Sequence, residues 1–261
     1  MHDGGILMMD IWYAVIFFVT GTIIGSFLNV VGYRLPKGMS ISKPSSHCPS
    51  CKHKLKAVEL VPILSYIIQL GKCKKCKQRI SLFYLLFELV TGLLFLVSYL
   101  TWGFSAELFI SLIFGSILLV IIISDIIYMI ISDEVLIFGG ILLFLLRLYM
   151  GYYFLDIIIN AVVPFVVLFL IKLLGDFFFK KESLGGGDIK LMLIFGLAIG
   201  WQLSLLSVFL ASFIALPIAL IILAVKKTNI IPFGPFLSIA ALILYFSRMD
   251  ISWLLGFILI N

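Results

Sequence analysis

The chain has 261 residues, of which 63% are hydrophobic and only 12% charged. Soluble globular domains carry about 25% charged residues, so this composition excludes an ordinary soluble enzyme and indicates a chain that is solvated by lipid. The net charge of +6 is interpreted as a signal of membrane topology and not of nucleic-acid binding, because Lys and Arg gather in the cytoplasmic loops of membrane proteins.

Apolar runs separated by polar residues predict the membrane-spanning helices. A helix that crosses a bilayer needs about 20 mostly apolar residues. The predicted spans are 11–31, 81–101, 106–131, 134–154, 156–175, 188–203, 204–225 and 233–247. A last apolar run, 251–260, is too short to span unaided. The fold class predicted is therefore all-α, a polytopic transmembrane helical bundle of about eight spans.

The loop between the first two spans sets the orientation. Residues 33–80 hold eleven of the nineteen Lys and Arg but a single acidic residue, Glu59. This charge predicts a cytoplasmic loop and, by alternation, two termini outside. The segment before the first span carries no Lys or Arg, unlike a cleavable signal peptide, so we expect the span to be retained. The expected domains are a first span at 1–32, this loop at 33–80 and a bundle at 81–261.

All four cysteines lie in this loop, which we call the cysteine loop (residues 33–80). They form two CxxC pairs, Cys48 with Cys51 and Cys73 with Cys76, separated by 21 residues. Two such turns bring four thiolates around one tetrahedral ion, which predicts a structural zinc site. Disulfide or redox chemistry is the alternative, but a cytoplasmic loop is reduced and no cysteine is left over.

Two aspartates stand in or beside apolar runs. Asp125 lies near the expected cytoplasmic end of the third span, and Asp188 opens the sixth span after Gly185, Gly186 and Gly187. Taken singly, Asp125 is also explained as an interfacial residue that reaches water, and Asp188 as an N-cap. Together, two carboxylates at similar depth can share one proton and supply the acid and the base of peptide hydrolysis. The glycines would let backbone approach closely and let the loop flex for an extended peptide.

Two further polar residues lie inside predicted spans, Asn29 in the first and Glu88 in the second. Interhelical hydrogen bonding is the simplest explanation of both, and the sequence does not decide the role of Glu88. The glycine pairs Gly21/Gly25 and Gly196/Gly200 are interpreted as close-packing helix faces and not as catalytic elements.

These residues together resemble the type IV prepilin peptidases, GxGD-type intramembrane aspartic proteases that also N-methylate their product. The resemblance covers nearly the whole chain and rests on the following segments: Gly25-Ser-Phe-Leu-Asn-Val-Val-Gly-Tyr-Arg-Leu-Pro36, the cysteine pairs with Val61-Pro-Ile-Leu-Ser-Tyr66 between them, Glu88-Leu-Val-Thr-Gly92, Asp125, Gly185-Gly-Gly-Asp-Ile-Lys-Leu191 and Pro232-Phe-Gly-Pro-Phe-Leu237. Two positions depart from the family pattern, because Ser132 and Leu85 stand where many members have proline.

The resemblance implies a function. Asp125 and Asp188 would be the catalytic pair that cleaves a prepilin or pseudopilin-like precursor after glycine, at the cytoplasmic face of the bacterial inner membrane. Zinc would be held by the four cysteines, and S-adenosylmethionine would be the methyl donor. Glu88 and Asn29 are candidates for the methyl-transfer site or for a structural role. The alternatives are a peptidase without methyltransferase activity and a zinc-containing membrane scaffold or transporter.

Overall fold

A computed structural model describes residues 3–181, 184–226 and 231–248. Within these ranges the chain is helical, with no β-strand, which confirms the all-α prediction. The α-helices are α1 (Asp3–Arg34), α2 (Leu64–Ile68), α3 (Leu82–Trp102), α4 (Ala106–Tyr128), α5 (Asp133–Tyr149), α6 (Phe154–Phe179), α7 (Gly186–Lys226) and α8 (Gly234–Ser247). Two short 3-10 helices, Leu35–Lys37 and Ala57–Leu60, lie in the cysteine loop.

Five helices in the described ranges are long and apolar enough to cross a membrane. Their apolar spans are Met9–Lys37, Leu82–Trp102, Ala106–Tyr128, Phe154–Phe179 and Gly186–Ala224. The predicted spans 134–154 and 233–247 correspond to shorter helices, α5 with 17 residues and α8 with 14. The apolar run 251–260 lies outside the described residues. A polytopic membrane protein is therefore supported, and the count of eight spans remains a prediction.

The chain divides into two compact units, Met1–Leu108 and Phe109–Asn261. In the first unit α1 packs along α3. A Cβ built on Gly21 would lie 2.7 Å from the Thr91 carbonyl oxygen, and one on Gly25 the same distance from Thr91 Oγ1. The rings of Phe17 and Tyr99 stack at 4.9 Å between centroids. The first glycine pair therefore forms the close-packing face expected from the sequence.

In the second unit α7 packs against α5, α6 and α8. The ring of Phe114, on α4, meets the rings of Phe195 on α7 and Tyr245 on α8 edge to face, at 5.8 and 5.7 Å. Phe114 and Phe195 are fully buried. This aromatic cluster brings α4, α7 and α8 together, and it is these three helices that carry the candidate active site.

A break interrupts α7 at Gly200, whose φ of 78° and ψ of 162° are not helical. The free carbonyl groups before the break accept hydrogen bonds from the Arg147 guanidinium, at 3.0 Å for Leu197 and 2.5 Å for Ala198. After the break, the Trp201 N–H donates to Asn160 Oδ1 at 3.1 Å. The sequence predicted two segments here with the boundary at 203–204. The observed boundary lies at Gly200, since glycine adopts a positive φ without a Cβ clash.

Candidate active site and metal centre

The two aspartates are brought together by the ends of two helices. Asp125 lies in the last turn of α4, three residues before it ends at Tyr128, and Asp188 lies in the first turn of α7. Both side chains are buried, with 7% and 9% of their surface exposed. The two carboxylates are near enough to interact electrostatically. Like charges at such a site disfavour double ionisation, which is the condition for a pair that shares one proton.

Asp125 also has a backbone partner from α8. The Gly234 N–H donates to Asp125 Oδ2 at 3.0 Å in a buried hydrogen bond. A Cβ on Gly234 would stand 2.7 Å from the same oxygen, so this close approach requires glycine. Gly234 has no expected role from the sequence beyond its place in the resemblance. The signal available there was a glycine between two prolines, Pro232 and Pro235.

The glycine run before Asp188 packs unevenly. A Cβ on Gly185 would lie 3.0 Å from Asp188 Oδ2, and one on Gly187 would lie 3.0 Å from Ile131 Cβ. A Cβ on Gly186 would meet nothing within 4 Å. The space at Gly185 is therefore limited by the Asp188 carboxyl group, and the space at Gly187 by Ile131, which follows α4.

An ion pair that the sequence analysis missed lies beside the aspartates. Lys190 Nζ is 2.8 Å from both oxygens of Asp133, with both side chains about half exposed. An exposed pair of this kind contributes little to stability. It links Asp133, the first residue of α5, to Lys190 in the second turn of α7, two residues beyond Asp188.

The four cysteines lie together as a candidate metal centre. Their sulfur atoms are all within 4.8 Å of one another, with Cys48 Sγ 3.8 Å from Cys76 Sγ and Cys51 Sγ 3.9 Å from Cys73 Sγ. Four Zn–S bonds of about 2.3 Å in a tetrahedron separate the sulfurs by about 3.8 Å. The donor set and its spacing therefore fit a metal ion, and all four cysteines are free thiols.

Each CxxC pair is folded in the same turn. The Lys52 N–H donates to the Cys48 carbonyl at 2.9 Å, and the Lys77 N–H donates to the Cys73 carbonyl at the same distance. Both lysines have positive φ, 56° and 60°. The backbone N–H of Cys51 is the largest influence on the Cys48 thiol and lowers its pKa to about 6. The Cys51 N–H therefore favours the thiolate of Cys48, the form that binds metal. At Cys76 the backbone N–H of Gln78 lowers the pKa, but burial and the three other cysteines outweigh it and raise the pKa to about 11.

Comparisons with known proteins agree with this arrangement. Residues 19–102 match the family model of the Bacterial Peptidase A24 N-terminal domain, and residues 112–220 match that of the Type IV leader peptidase family. A Prepilin leader peptidase/N-methyltransferase of Bacillus subtilis (strain 168) is 35% identical, over 88% of this chain and 92% of its own length. A protein of the same name from Pseudomonas putida is 33% identical, over 92% of this chain and 93% of its own. The chain belongs to the type IV leader peptidase family.

Family membership confirms the resemblance inferred from the sequence. The match to the N-terminal domain contains the four cysteines, Asn29 and Glu88, and the match to the leader peptidase family contains both aspartates. Gly234 lies beyond both matches. No solved structure matches the chain.

Asn29 and Glu88 lie on neighbouring turns of α1 and α3 within the first unit. Glu88 Oε2 accepts the Ile63 N–H at 2.8 Å, and Asn29 Nδ2 donates to the Tyr84 carbonyl at 3.3 Å. Asn29 is 2% exposed, and its Oδ1 has no hydrogen-bond partner among the described residues. The interhelical hydrogen bond expected of Asn29 is present. Glu88 interacts with the Ser26 side chain on α1 and also accepts a hydrogen bond from the backbone of the cysteine loop.

Proposed function

We propose that this protein is a membrane-embedded aspartic peptidase that removes the leader peptide of prepilin or pseudopilin-like precursors by cleavage after glycine. The observation that carries the proposal is that two buried carboxyl groups, Asp125 and Asp188 at the ends of α4 and α7, lie near enough to interact electrostatically. Membership of the leader peptidase family supplies the reaction class. The scaffold alternative gives no reason for a buried pair of carboxyl groups at this position. A transporter can use such a pair, but the matching family and relatives are named as peptidases.

In the proposed mechanism the two aspartates have different starting states. The Gly234 N–H stabilises negative charge on Asp125 Oδ2, so Asp125 is the carboxylate and Asp188 carries the shared proton. Asp125 accepts a proton from water, whose oxygen attacks the carbonyl carbon of the scissile bond. Asp188 then donates its proton to the leaving nitrogen as the C–N bond breaks. The products are a leader that ends in a carboxyl group and a mature chain with a new N-terminal amine.

We also propose that the new amine is methylated, because the relatives are named as N-methyltransferases as well as peptidases. S-adenosylmethionine would supply the methyl group. Asn29 and Glu88 are the candidate residues of this site. The unpartnered Asn29 Oδ1 is a buried acceptor that a ligand can satisfy. The alternative, a peptidase without methyltransferase activity, predicts cleaved but unmethylated product.

The metal and the topology complete the proposal. The metal is zinc, held by Cys48, Cys51, Cys73 and Cys76 in a structural role, because the cysteine loop has few other buried side chains to order it. The protein is a multi-pass protein of the bacterial inner membrane with about eight spans. The positive charge of the cysteine loop supports its placement in the cytoplasm.

The peptidase proposal is tested with the single substitutions Asp125→Asn and Asp188→Asn and the control Asp156→Asn, which changes an exposed aspartate at the start of α6. Cleavage of a purified prepilin is followed by the mobility shift of the product. Each active-site variant should lose activity by at least about a hundredfold, because the acid and the base act as a unit. The control should cleave normally. Near-normal cleavage by either active-site variant, in protein that is inserted and loaded with zinc, would reject the assignment.

A further inference from the structure

The segment between the two cysteine pairs exposes much apolar surface for a loop expected to lie in water. Val58 is 77% exposed, Ile68 78% and Leu70 82%. Four more apolar side chains nearby are also exposed, namely Leu60, Val61, Leu64 and Ile67. We call residues 57–70 the apolar segment. Seven exposed apolar side chains within fourteen residues indicate a site of contact with protein or lipid.

A hydrogen bond fixes the depth of the apolar segment relative to a membrane span. Glu88 lies six residues beyond Leu82, the first residue of α3, which is about 9 Å along the helix at 1.5 Å per residue. Its carboxylate accepts the Ile63 N–H at 2.8 Å. Ile63 has a φ of 61°, which is rare for a β-branched residue, so this turn is held in a specific conformation. The middle of the apolar segment thus lies alongside the span and not beyond its end.

Basic residues flank the apolar segment on both sides. All eight are exposed: Lys52, Lys54 and Lys56 precede the segment, and Lys72, Lys74, Lys75, Lys77 and Arg79 follow it. Within the segment the only charged residue is Glu59, which accepts the Lys56 N–H at 2.8 Å and lies 3.4 Å from His53. An apolar centre between lysines is the pattern of elements that lie in a membrane interface, where the cations meet anionic headgroups.

We propose that residues 57–70 insert into the bilayer leaflet that the cysteine loop faces, with the flanking lysines at the level of anionic headgroups. The loop is bounded by two membrane spans of the same unit, so the leaflet is within reach without any partner protein. The expected insertion is shallow, about 5–10 Å, in agreement with the depth of Glu88. The metal centre would then be held against the membrane surface. This inference does not depend on the peptidase activity.

The test measures the depth of a probe in the whole, zinc-loaded protein. A fluorescent amino acid is incorporated at Ile68 or, as the matched control, at Ser50, an exposed residue between two cysteines. The protein is placed in nanodiscs of phosphatidylcholine with or without phosphatidylglycerol. We expect a lipid that carries a spin label near its headgroup to quench the Ile68 probe several-fold more than the Ser50 probe, and aqueous iodide to quench them in the opposite order. Equal iodide quenching at both positions would overturn the proposal.

Two further measurements separate lipid from protein as the occupant. Lipid quenching at Ile68 should be stronger with phosphatidylglycerol and should weaken as salt screens the lysines. Glu88→Ala removes the acceptor for the Ile63 N–H and should reduce lipid quenching, whereas Glu88→Gln keeps an acceptor and should not. If the Ile68 probe is shielded from iodide only when a prepilin precursor is added, the surface binds protein and the insertion proposal is wrong.

Discussion

At the scale of single residues, the hydrogen bond from Gly234 distinguishes two aspartates that are otherwise similarly buried. The sequence alone supplies both carboxyl groups but treats them as equivalent. In the structure Asp125 accepts a hydrogen bond from the Gly234 N–H at the start of α8, which gives the two carboxyl groups different surroundings. A backbone N–H in this position stabilises the charged form of Asp125 without adding a titratable group to the site.

Replacing that glycine tests the role of the bond. In Gly234→Ala the new Cβ would stand 2.7 Å from Asp125 Oδ2, so the carboxylate must rotate away and lose the N–H. A hydrogen bond to a charged group contributes about 1.5–3 kcal/mol, so we expect cleavage to fall about tenfold to a hundredfold. The measurement is kcat on a prepilin substrate, with zinc content as a check of folding.

Gly186→Ala is the comparison variant for this prediction, because a Cβ there meets nothing within 4 Å. Its effect on cleavage should be much smaller than that of Gly234→Ala. If the two variants lose activity equally, backbone flexibility and not the hydrogen bond would account for the loss.

Glu88 is the residue whose role the sequence left open, and it provides a test of the methyl-transfer proposal. Glu88→Gln keeps the length of the side chain and an acceptor for the Ile63 N–H but removes the charge. We expect methylation of an already cleaved substrate to fall while cleavage of the precursor continues, because only hydrolysis needs the aspartates. Transfer of labelled methyl groups from S-adenosylmethionine measures the first activity and the mobility shift measures the second.

The control for Glu88→Gln is Glu134→Gln, which neutralises an exposed glutamate in the first turn of α5. It should leave both activities unchanged. Full methylation by Glu88→Gln would remove Glu88 from the methyl-transfer site and leave it with the structural contact to Ile63.

At the scale of elements, the cysteine loop was the part of the chain most readily predicted. Two cysteines with two residues between them can ligate one ion whatever the surroundings, so the CxxC spacing indicates local geometry directly. The loop between Cys51 and Cys73 was not predictable in the same way. Its contact with Glu88 joins positions 25 residues apart, and no local pattern encodes such a pairing.

We expect the purified protein to contain about one zinc per chain. Cys48→Ala should lose the metal and expose the cysteine loop to protease, because metal binding contributes to its folding. Ser50→Ala, between the same two cysteines, should keep both properties. Elemental analysis and limited proteolysis provide the measurements. Metal should also be lost as the pH falls, since protons compete for the thiolates, and disulfides in place of zinc would contradict the assignment.

At the scale of the whole molecule, the composition and the apolar runs predicted a helical membrane protein, and the family comparison confirms the enzyme class. The boundaries were less predictable. The chain is apolar on both sides of Gly200, so its hydropathy gives no sign of the break there. The break depends on Arg147 and Asn160, which lie on other helices.

The predicted orientation is tested by labelling two positions from outside intact cells. Ser45→Cys lies in the cysteine loop, and Tyr153→Cys lies between α5 and α6, where the native tyrosine is 79% exposed. With a cytoplasmic loop and alternating spans, an impermeant maleimide should label position 153 and should label position 45 only after the membrane is opened. Labelling of both positions from outside would contradict the predicted topology.

The break at Gly200 has a consequence for how substitutions along α7 will be distributed. In an uninterrupted helix, positions three or four apart share a face along its whole length. The dihedral angles at Gly200 are not helical, so the relation between positions three or four apart does not continue across it. Which residues of 186–199 share a face is therefore independent of which residues of 201–226 do. Substitutions made along the whole of α7 should therefore show one helical pattern of tolerated positions before Gly200 and a second, independent pattern after it. The tolerance of a position before the break will not predict the tolerance of the position seven residues later when Gly200 lies between the two.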